Sequence, residues 1–298
     1  MIQAKYITAQ LGGNWHGNSG TCRCPAHDDR TPSLSIRDSP DNGIIVHCFS
    51  GCDWRDVKAA MREIGLLPDF HTEGRAVPAD NRNANRAEKE AQAAAKRAHY
   101  IKWCQSIWDT AGEVKSSPVE SYLRSRAITS SPSTLRCHRA LKDSATGLDF
   151  PAMVAAVTRW PNDDVIGIHR TFLNANGDGK ADIQSPKKMA GDCRGGAVRL
   201  AVAGTTLGLS EGIESGLAAM QATSVPTWAT LSVSGLRGVI VPDESTDIII
   251  FADHDASGIN VANQAADRFR SEGKHARIAL PPNPGTDFND LLLKGMEL

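Results

Sequence analysis

The sequence predicts an α/β protein. A mostly parallel sheet fills its C-terminal third, and a small cysteine-bearing module stands at its N-terminus. After Ala201 strand-like and helix-like patterns alternate, which argues for parallel strands with helices on both faces. Two apolar runs in that region, Thr205–Ser210 and Ile248–Ala252, end in carboxylates, Glu211 and then Asp253 and Asp255. Near the N-terminus two short Cys/His pairs flank a hairpin signal.

In chain order, residues 1–70 hold four of the seven cysteines, Cys22, Cys24, Cys48 and Cys52. Strand candidates Ser33–Arg37 and Gly43–Cys48 flank the turn-rich Ser39-Pro40-Asp41-Asn42-Gly43. Asp53–Gly65 reads as a helix with apolar Val57, Ala60, Met61 and Ile64. Residues 71–86 are polar and contain Gly74 and Pro78, a linker composition. Ala87–Ala111 is rich in Ala, Glu, Lys and Gln, strong helix formers, and a short helix is expected over Val119–Arg126.

Met153–Val157 and Val165–His169 are strand-like, and Asn174–Gly179 is a tight turn. Four strand–helix pairs follow. Strands 205–210, 225–229, 247–252 and 275–280 lead into helices 212–222, 234–238, 258–272 and 287–294. In such sheets ligands gather beyond the carboxyl ends of the strands, where Glu211, Asp253 and Asp255 fall. The organisation read from this is 1–70, a zinc-binding module; 71–130, linker and helices; 131–204, a basic mixed α+β part; and 205–298, the metal-binding α/β domain.

Composition narrows the class. No run approaches the ~18–20 apolar residues of a membrane span, and the N-terminus lacks the apolar stretch of a signal peptide. The chain is read as cytoplasmic, where cysteines serve metals or remain free thiols. Net charge is −1, but residues 201–298 carry 6 Lys/Arg against 12 Asp/Glu, a local balance of −6. An acidic segment following a basic middle suits metal ions beside an anionic substrate.

Asp253 and Asp255 are two apart and share one face of an extended chain. Ser257-Gly258 then opens a helix, and Asp287 lies in Thr286-Asp287-Phe288-Asn289-Asp290. Clustered oxygen ligands of this kind suit Mg²⁺ or Mn²⁺, and such ions commonly serve phosphoryl transfer. Each acid taken singly also fits a helix N-cap. Cys24-Pro25-Ala26-His27 and Cys48-Phe49-Ser50-Gly51-Cys52 supply two pairs of S/N ligands, the number zinc takes, with Cys22 and His47 as alternative members.

These motifs carry a family resemblance. Ser210-Glu211-Gly212-Ile213-Glu214, Ala252-Asp253-His254-Asp255-Ala256-Ser257-Gly258 and Gly285-Thr286-Asp287-Phe288-Asn289-Asp290 resemble the three acidic motifs of the Toprim domain. That domain, with its Rossmann-like parallel sheet, is shared by bacterial-type primases, topoisomerases, RecR-like proteins and some nucleases. The resemblance implies Mg²⁺ or Mn²⁺, two or more, on Glu211, Asp253, Asp255 and Asp287. Either Asn289 or Asp290 would complete the site. Cys24–Ser33 and His47–Cys52 resemble the zinc-ribbon-like N-terminal module of bacterial and phage primases, with one structural Zn²⁺ on Cys24, His27, Cys48 and Cys52. The second pair has three intervening residues where cellular enzymes usually have two, a departure associated with phage and plasmid relatives. Arg23, Arg30, Arg37, Trp54 and Arg55 would offer phosphate contacts and a stacking face there.

The basic middle is similar to the part of the primase core that precedes the Toprim domain. It implies Arg170, Lys180 and Lys187 as contacts to nucleoside triphosphates or the template. Ser121–Arg126 resembles phage-type members, with no chemistry assigned. The function implied is a DNA primase of phage or plasmid replication, making short RNA primers on single-stranded DNA from NTPs. The alternatives are a Toprim metal-dependent nuclease and a non-catalytic DNA-binding or recombination-mediator protein. A topoisomerase would need a nucleophilic tyrosine, and none of Tyr6, Tyr100 and Tyr122 stands in a recognisable site. No Gly-x4-Gly-Lys-Ser/Thr loop occurs, so a helicase is expected in trans or in a longer parent chain.

Overall fold

The computed structural model describes residues 4–29, 31–39, 43–68 and 79–295, with backbone alone at 79–87 and 89. Arg30, turn residues 40–42 and residues 71–78 of the expected linker lie outside the described residues. The chain divides into two compact units, Met1–Ala84 and Asn85–Leu298.

The first unit begins with α1 (Ala4–Gln10), followed by β1 (Asn14–His16), β2 (Ser19–Cys22), β3 (Leu34–Asp38) and β4 (Ile44–Cys48). These strands form an antiparallel sheet in the order β1-β2-β3-β4. The expected hairpin joins β3 to β4, with Asp38 opposite Ile44 and the Ser39 N–H donating to the Gly43 carbonyl at 2.8 Å. Leu34, Ile36, Ile44, Val46 and Cys48 alternate into a common core with Val57 and Met61 of α2 (Trp54–Glu63). Asp53 caps α2 by accepting from the Arg55 N–H. The sequence reading did not anticipate α1, β1 and β2. They are short, and only packing sustains them: Ala4 and Ile7 are buried, and β2 passes so close that a Cβ on Gly20 would sit 2.1 Å from Thr8 Oγ1.

In the second unit α3 (Ala79–Thr110) starts eight residues before the helix expected from Ala87, and its own N-terminal part belongs to the first unit. Next comes α4 (Pro118–Ser125), capped by Ser117 with Pro118 at its first position. Four antiparallel strands follow in a meander: β5 (Leu135–Lys142), β6 (Asp149–Val157), β7 (Gly167–Phe172) and β8 (Lys187–Gly191). β5 reads as polar and was not expected. Leu135 and Cys137 alternate inward, but a register shift between His138 and Leu141 breaks the period.

Both faces of this meander are covered, so β6 is a largely apolar run and even the polar His169, Arg170 and Thr171 of β7 are buried. Ala152, Val154, Ile168, Phe172 and Ala190 pack with Cys104 and Ile107 of α3. On the other face Met153, Ala155 and Val157 pack with Val119, Tyr122 and Leu123 of α4 and with Ile213 and Leu217.

The C-terminal sheet contains β9 (Val198–Arg199), β10 (Thr206–Ser210), β11 (Thr227–Ala229), β12 (Asp247–Phe251) and β13 (His275–Ala279) in the order β13-β12-β10-β11-β9. All pairings are parallel except that of β9 with β11. The connecting helices are α5 (Ile213–Thr223), α6 (Val233–Gly238), α7 (Ala256–Ser271) and α8 (Phe288–Leu293). Leu207, Leu209, Ile248 and Ile250 pack with Val261, Ala265 and Phe269 of α7 on one face. Ile249 and Phe251 meet Ala218 and Ala219 of α5 and Phe288 and Leu291 of α8 on the other. This is the two-layered covering that the strand–helix alternation predicts. Among the described residues no helix is long and apolar enough to cross a membrane.

Candidate functional site

In the first unit, Cys24, His27, Cys48 and Cys52 bring their ligand atoms within 4.8 Å of one another. Cys24 and His27 sit on the turn after β2, and Cys48 and Cys52 bracket the turn after β4. The hairpin thus carries the two pairs to one place. His27 Nδ1 lies 3.2 Å from Cys52 Sγ, and its Nε2 lies 3.7 Å from Asp29 Oδ1. The other Asp29 oxygen accepts from the Cys24 N–H at 2.7 Å, the Ser33 N–H at 3.2 Å and Ser33 Oγ at 2.6 Å. This donor set suits a tetrahedral zinc with a carboxylate behind its histidine. Of the alternative members, Cys22 is fully buried with its thiol directed to the Leu34 carbonyl, and His47 stands outside the set.

In the second unit, a pocket of about 220 Å³ opens at the carboxyl ends of β10 and β12. Glu211, Asp253 and Asp287 line it, and Lys180, Lys187 and Arg126 face them. Larger hollows of about 530 and 520 Å³ lie between Ala111–Lys115 and β5, but Glu113 is their single acid.

The four acids expected at the metal site are held in different ways. Asp255 is exposed, caps α7 through the Gly258 N–H at 2.7 Å, and does not line the pocket. Asp287 caps α8 with one oxygen, and its other oxygen accepts from Ser215 Oγ at 3.2 Å. For these two the helix-cap reading of the sequence also holds. Asp253 Oδ1 is buried without a hydrogen-bond partner. Burial, followed by the charges of Asp287, Glu211 and Asp255, pushes the Asp253 carboxyl up to about 6. Burial and Asp255 likewise raise that of Glu211. Crowded, desolvated carboxylates with an orphaned oxygen are the setting a divalent cation relieves.

Neither candidate for the last corner lines the pocket. Asn289 is fully buried and donates to the Arg126 carbonyl at 2.7 Å. Asp290 closes a capping box by accepting from the Asp287 N–H at 3.1 Å.

Strand parity decides which cations reach the pocket. Thr171 pairs with Lys187, and Ala155 pairs with His169. His169 and Lys187 therefore share the face turned to α5, and both line the pocket. Arg170 and Lys188 pair with each other on the opposite face. There the Arg170 guanidinium lies over Trp103 and Lys188 bonds Asp143. Of the three expected basic contacts, the fold brings Lys180 and Lys187 to the carboxylates and leaves Arg170 on the other side of the sheet.

Sequence reading missed Glu214, Tyr122, His169 and Arg126. Glu214 is buried in the first turn of α5; it accepts from Tyr122 Oη at 2.7 Å and from Lys187 Nζ at 2.9 Å. Burial works to raise its carboxyl, but the Lys187 ammonium and the Tyr122 hydroxyl outweigh that and hold it at about 2. Burial drives the His169 imidazole down to about 4, so the ring is neutral at pH 7 and its Nδ1 has no partner. Two signals existed: Glu214 stands within the Glu211 motif, and Tyr122 and Arg126 within the segment Ser121–Arg126.

Residues 206–297 match the family model of the Toprim domain, and residues 98–200 match a domain of unknown function, DUF7146. The C-terminal sheet with its strand-end acids is therefore a Toprim domain. Among solved structures the chain is similar to the Aquifex aeolicus primase, in its zinc-binding and RNA polymerase domains. Identity is 13% over 99% of this chain and 80% of that one, with a TM-score of 0.42. It is similar to the primase fragment of the bacteriophage T7 primase-helicase protein at 16% identity, covering 62% and 69%, with a TM-score of 0.40. The RNA polymerase domain of Mycobacterium tuberculosis primase DnaG gives 17%, 70% and 80%, with a TM-score of 0.41. No curated protein matches the chain significantly.

Proposed function

We propose that this protein is a DNA primase that makes short RNA primers on single-stranded DNA by two-metal nucleotidyl transfer, in phage or plasmid replication. The observation that carries the reading is the pocket in which Glu211, Asp253 and Asp287 face Lys180, Lys187 and Arg126. Carboxylates opposite cations suit a metal-bound, polyanionic substrate better than either set alone.

In this reading the 3′-hydroxyl of one nucleotide attacks the α-phosphorus of the next. The bond to the β-phosphate breaks, and pyrophosphate leaves. Glu211, Asp253 and Asp287, with Asp255 beside them, would hold Mg²⁺ or Mn²⁺, which when bound neutralises phosphate charge and favours the attacking alkoxide. Lys180, Lys187 and Arg126 bind triphosphate oxygens. Ser215 and the α8 cap fix the orientation of Asp287. Cys24, His27, Cys48 and Cys52 would hold one zinc that shapes the template-binding module, where Arg23, Arg37, Trp54 and Arg55 meet the single strand. A helicase acting in trans is the expected partner.

The test incubates the full chain with single-stranded DNA, labelled NTPs and Mg²⁺ or Mn²⁺. Short labelled primers are expected. Nicked template without primers would replace this reading with a nuclease, and binding alone would replace it with a non-catalytic DNA-binding protein.

A further inference from the structure

We infer that Glu214 is a positioning residue that anchors Lys187 so that its ammonium meets the triphosphate of the incoming nucleotide. This rests on the primase reading, and it assigns the pocket a cation set by a buried counter-charge.

Lys187 lies on β8, an edge strand of the meander, with its side chain 38% exposed. A lysine there carries a flexible four-carbon stem and a strongly hydrated head, so nothing local fixes it over the pocket. Glu214 supplies the missing constraint. Its side chain is 4% exposed and sits on the first turn of α5, three residues after Glu211. Tyr122 Oη donates to Oε1 at 2.7 Å, which fixes the carboxylate and leaves Oε2 for Lys187 Nζ at 2.9 Å. Tyr122 is itself 1% exposed, so the acceptor is held by a rigid ring in the core. Buried ion pairs are weak stabilisers, and this lysine's side chain is only partly buried. The arrangement is therefore better suited to orienting a cation than to holding the fold. Glu214 touches no pocket carboxylate through a hydrogen bond and acts through Lys187.

The test measures Mg·ATP binding by titration calorimetry and primer synthesis for the wild type, Glu214→Gln, Lys187→Met, the double variant and Tyr122→Phe, with thermal melts alongside. Glu214→Gln and Lys187→Met should each weaken Mg·ATP binding by about tenfold or more, raising KM more than they lower kcat. The double variant should bind within about twofold of Lys187→Met alone, because both changes remove one interaction. A merely structural Glu214 would add its own loss to the double variant. Should Glu214→Gln fail to fold, Tyr122→Phe still loosens the anchor and should weaken binding by about two- to fivefold. Wild-type binding in Glu214→Gln or in Tyr122→Phe, or losses that multiply in the double variant, would overturn the inference. A wild type that makes no primers while the binding pattern holds would sink the primase reading and leave the anchor standing.

Discussion

The guanidinium of Arg170 lies 5.3 Å from the centre of the Trp103 ring, on the face of the meander turned away from the acidic pocket. Tyr100 stacks on the same indole at 5.4 Å, and Arg170 is only 8% exposed. Arg170→Ala should therefore act mainly on stability, losing about 1–2 kcal/mol of cation–π and packing energy. The urea midpoint reports this, and an unchanged midpoint would refute it.

Asp253 holds the one pocket carboxylate oxygen that is buried without a partner among the described residues. Asp253→Asn should cut primer synthesis by about 100-fold or more with zinc content unchanged. Without divalent metal the same change removes like-charge crowding, and the variant should melt no lower than the wild type. Full turnover in the variant would contradict the assignment.

Asp143 gives a pH dependence remote from the pocket. The hydrogen bond from Lys188 holds its carboxyl below the ordinary 3.8, and Thr146 adds to this. A depressed folded value means that the unfolded chain takes up the proton first as pH falls. The stabilisation is therefore complete only well above the ordinary 3.8, fades as the unfolded carboxyl takes up its proton, and is gone once the folded carboxyl protonates as well. Asp143→Asn should show a shallower loss of stability between about pH 5 and pH 3 than the wild type. Parallel curves from urea midpoints across that range would refute it.

Asp29 stands behind His27 and fixes the Cys24 turn. Asp29→Ala should weaken zinc binding by about 10- to 100-fold, read by competition with a chromogenic chelator. Stripping the metal should also loosen the β3–β4 hairpin, because ligand geometry and the small core of the first unit are coupled. Affinity equal to the wild type would show that the carboxylate is not a support for the metal.

Much of this was legible because it is local. A strand-like run followed by an acid and a helical pattern placed Glu211 and Asp253 at strand ends, and the alternation after Ala201 matched β10 to α8 closely. The two Cys/His turns around a hairpin signal were equally readable, since four S/N ligands in two closely spaced pairs have few other uses in such a module. β5 was not legible, because a register shift breaks its period and its Arg136, His138 and Arg139 look like loop. α1 failed for a different reason. Seven residues lack the length to be helical alone, and burial of Ala4 and Ile7 decides the matter.

By itself the sequence determined the α/β order, the acidic strand ends and the two Cys/His turns, all consequences of periodicity and short-range spacing. Tertiary structure alone decided which face each side chain serves. Lys187 and Lys188 are neighbours in the chain, yet strand pairing sends one to Glu214 and the other to Asp143. Tyr122 and Glu214 stand 92 residues apart and meet only because α4 and α5 cover the same face of the meander. Register and burial are properties of the assembled sheet, and they convert a list of acids and cations into a pocket with an orientation.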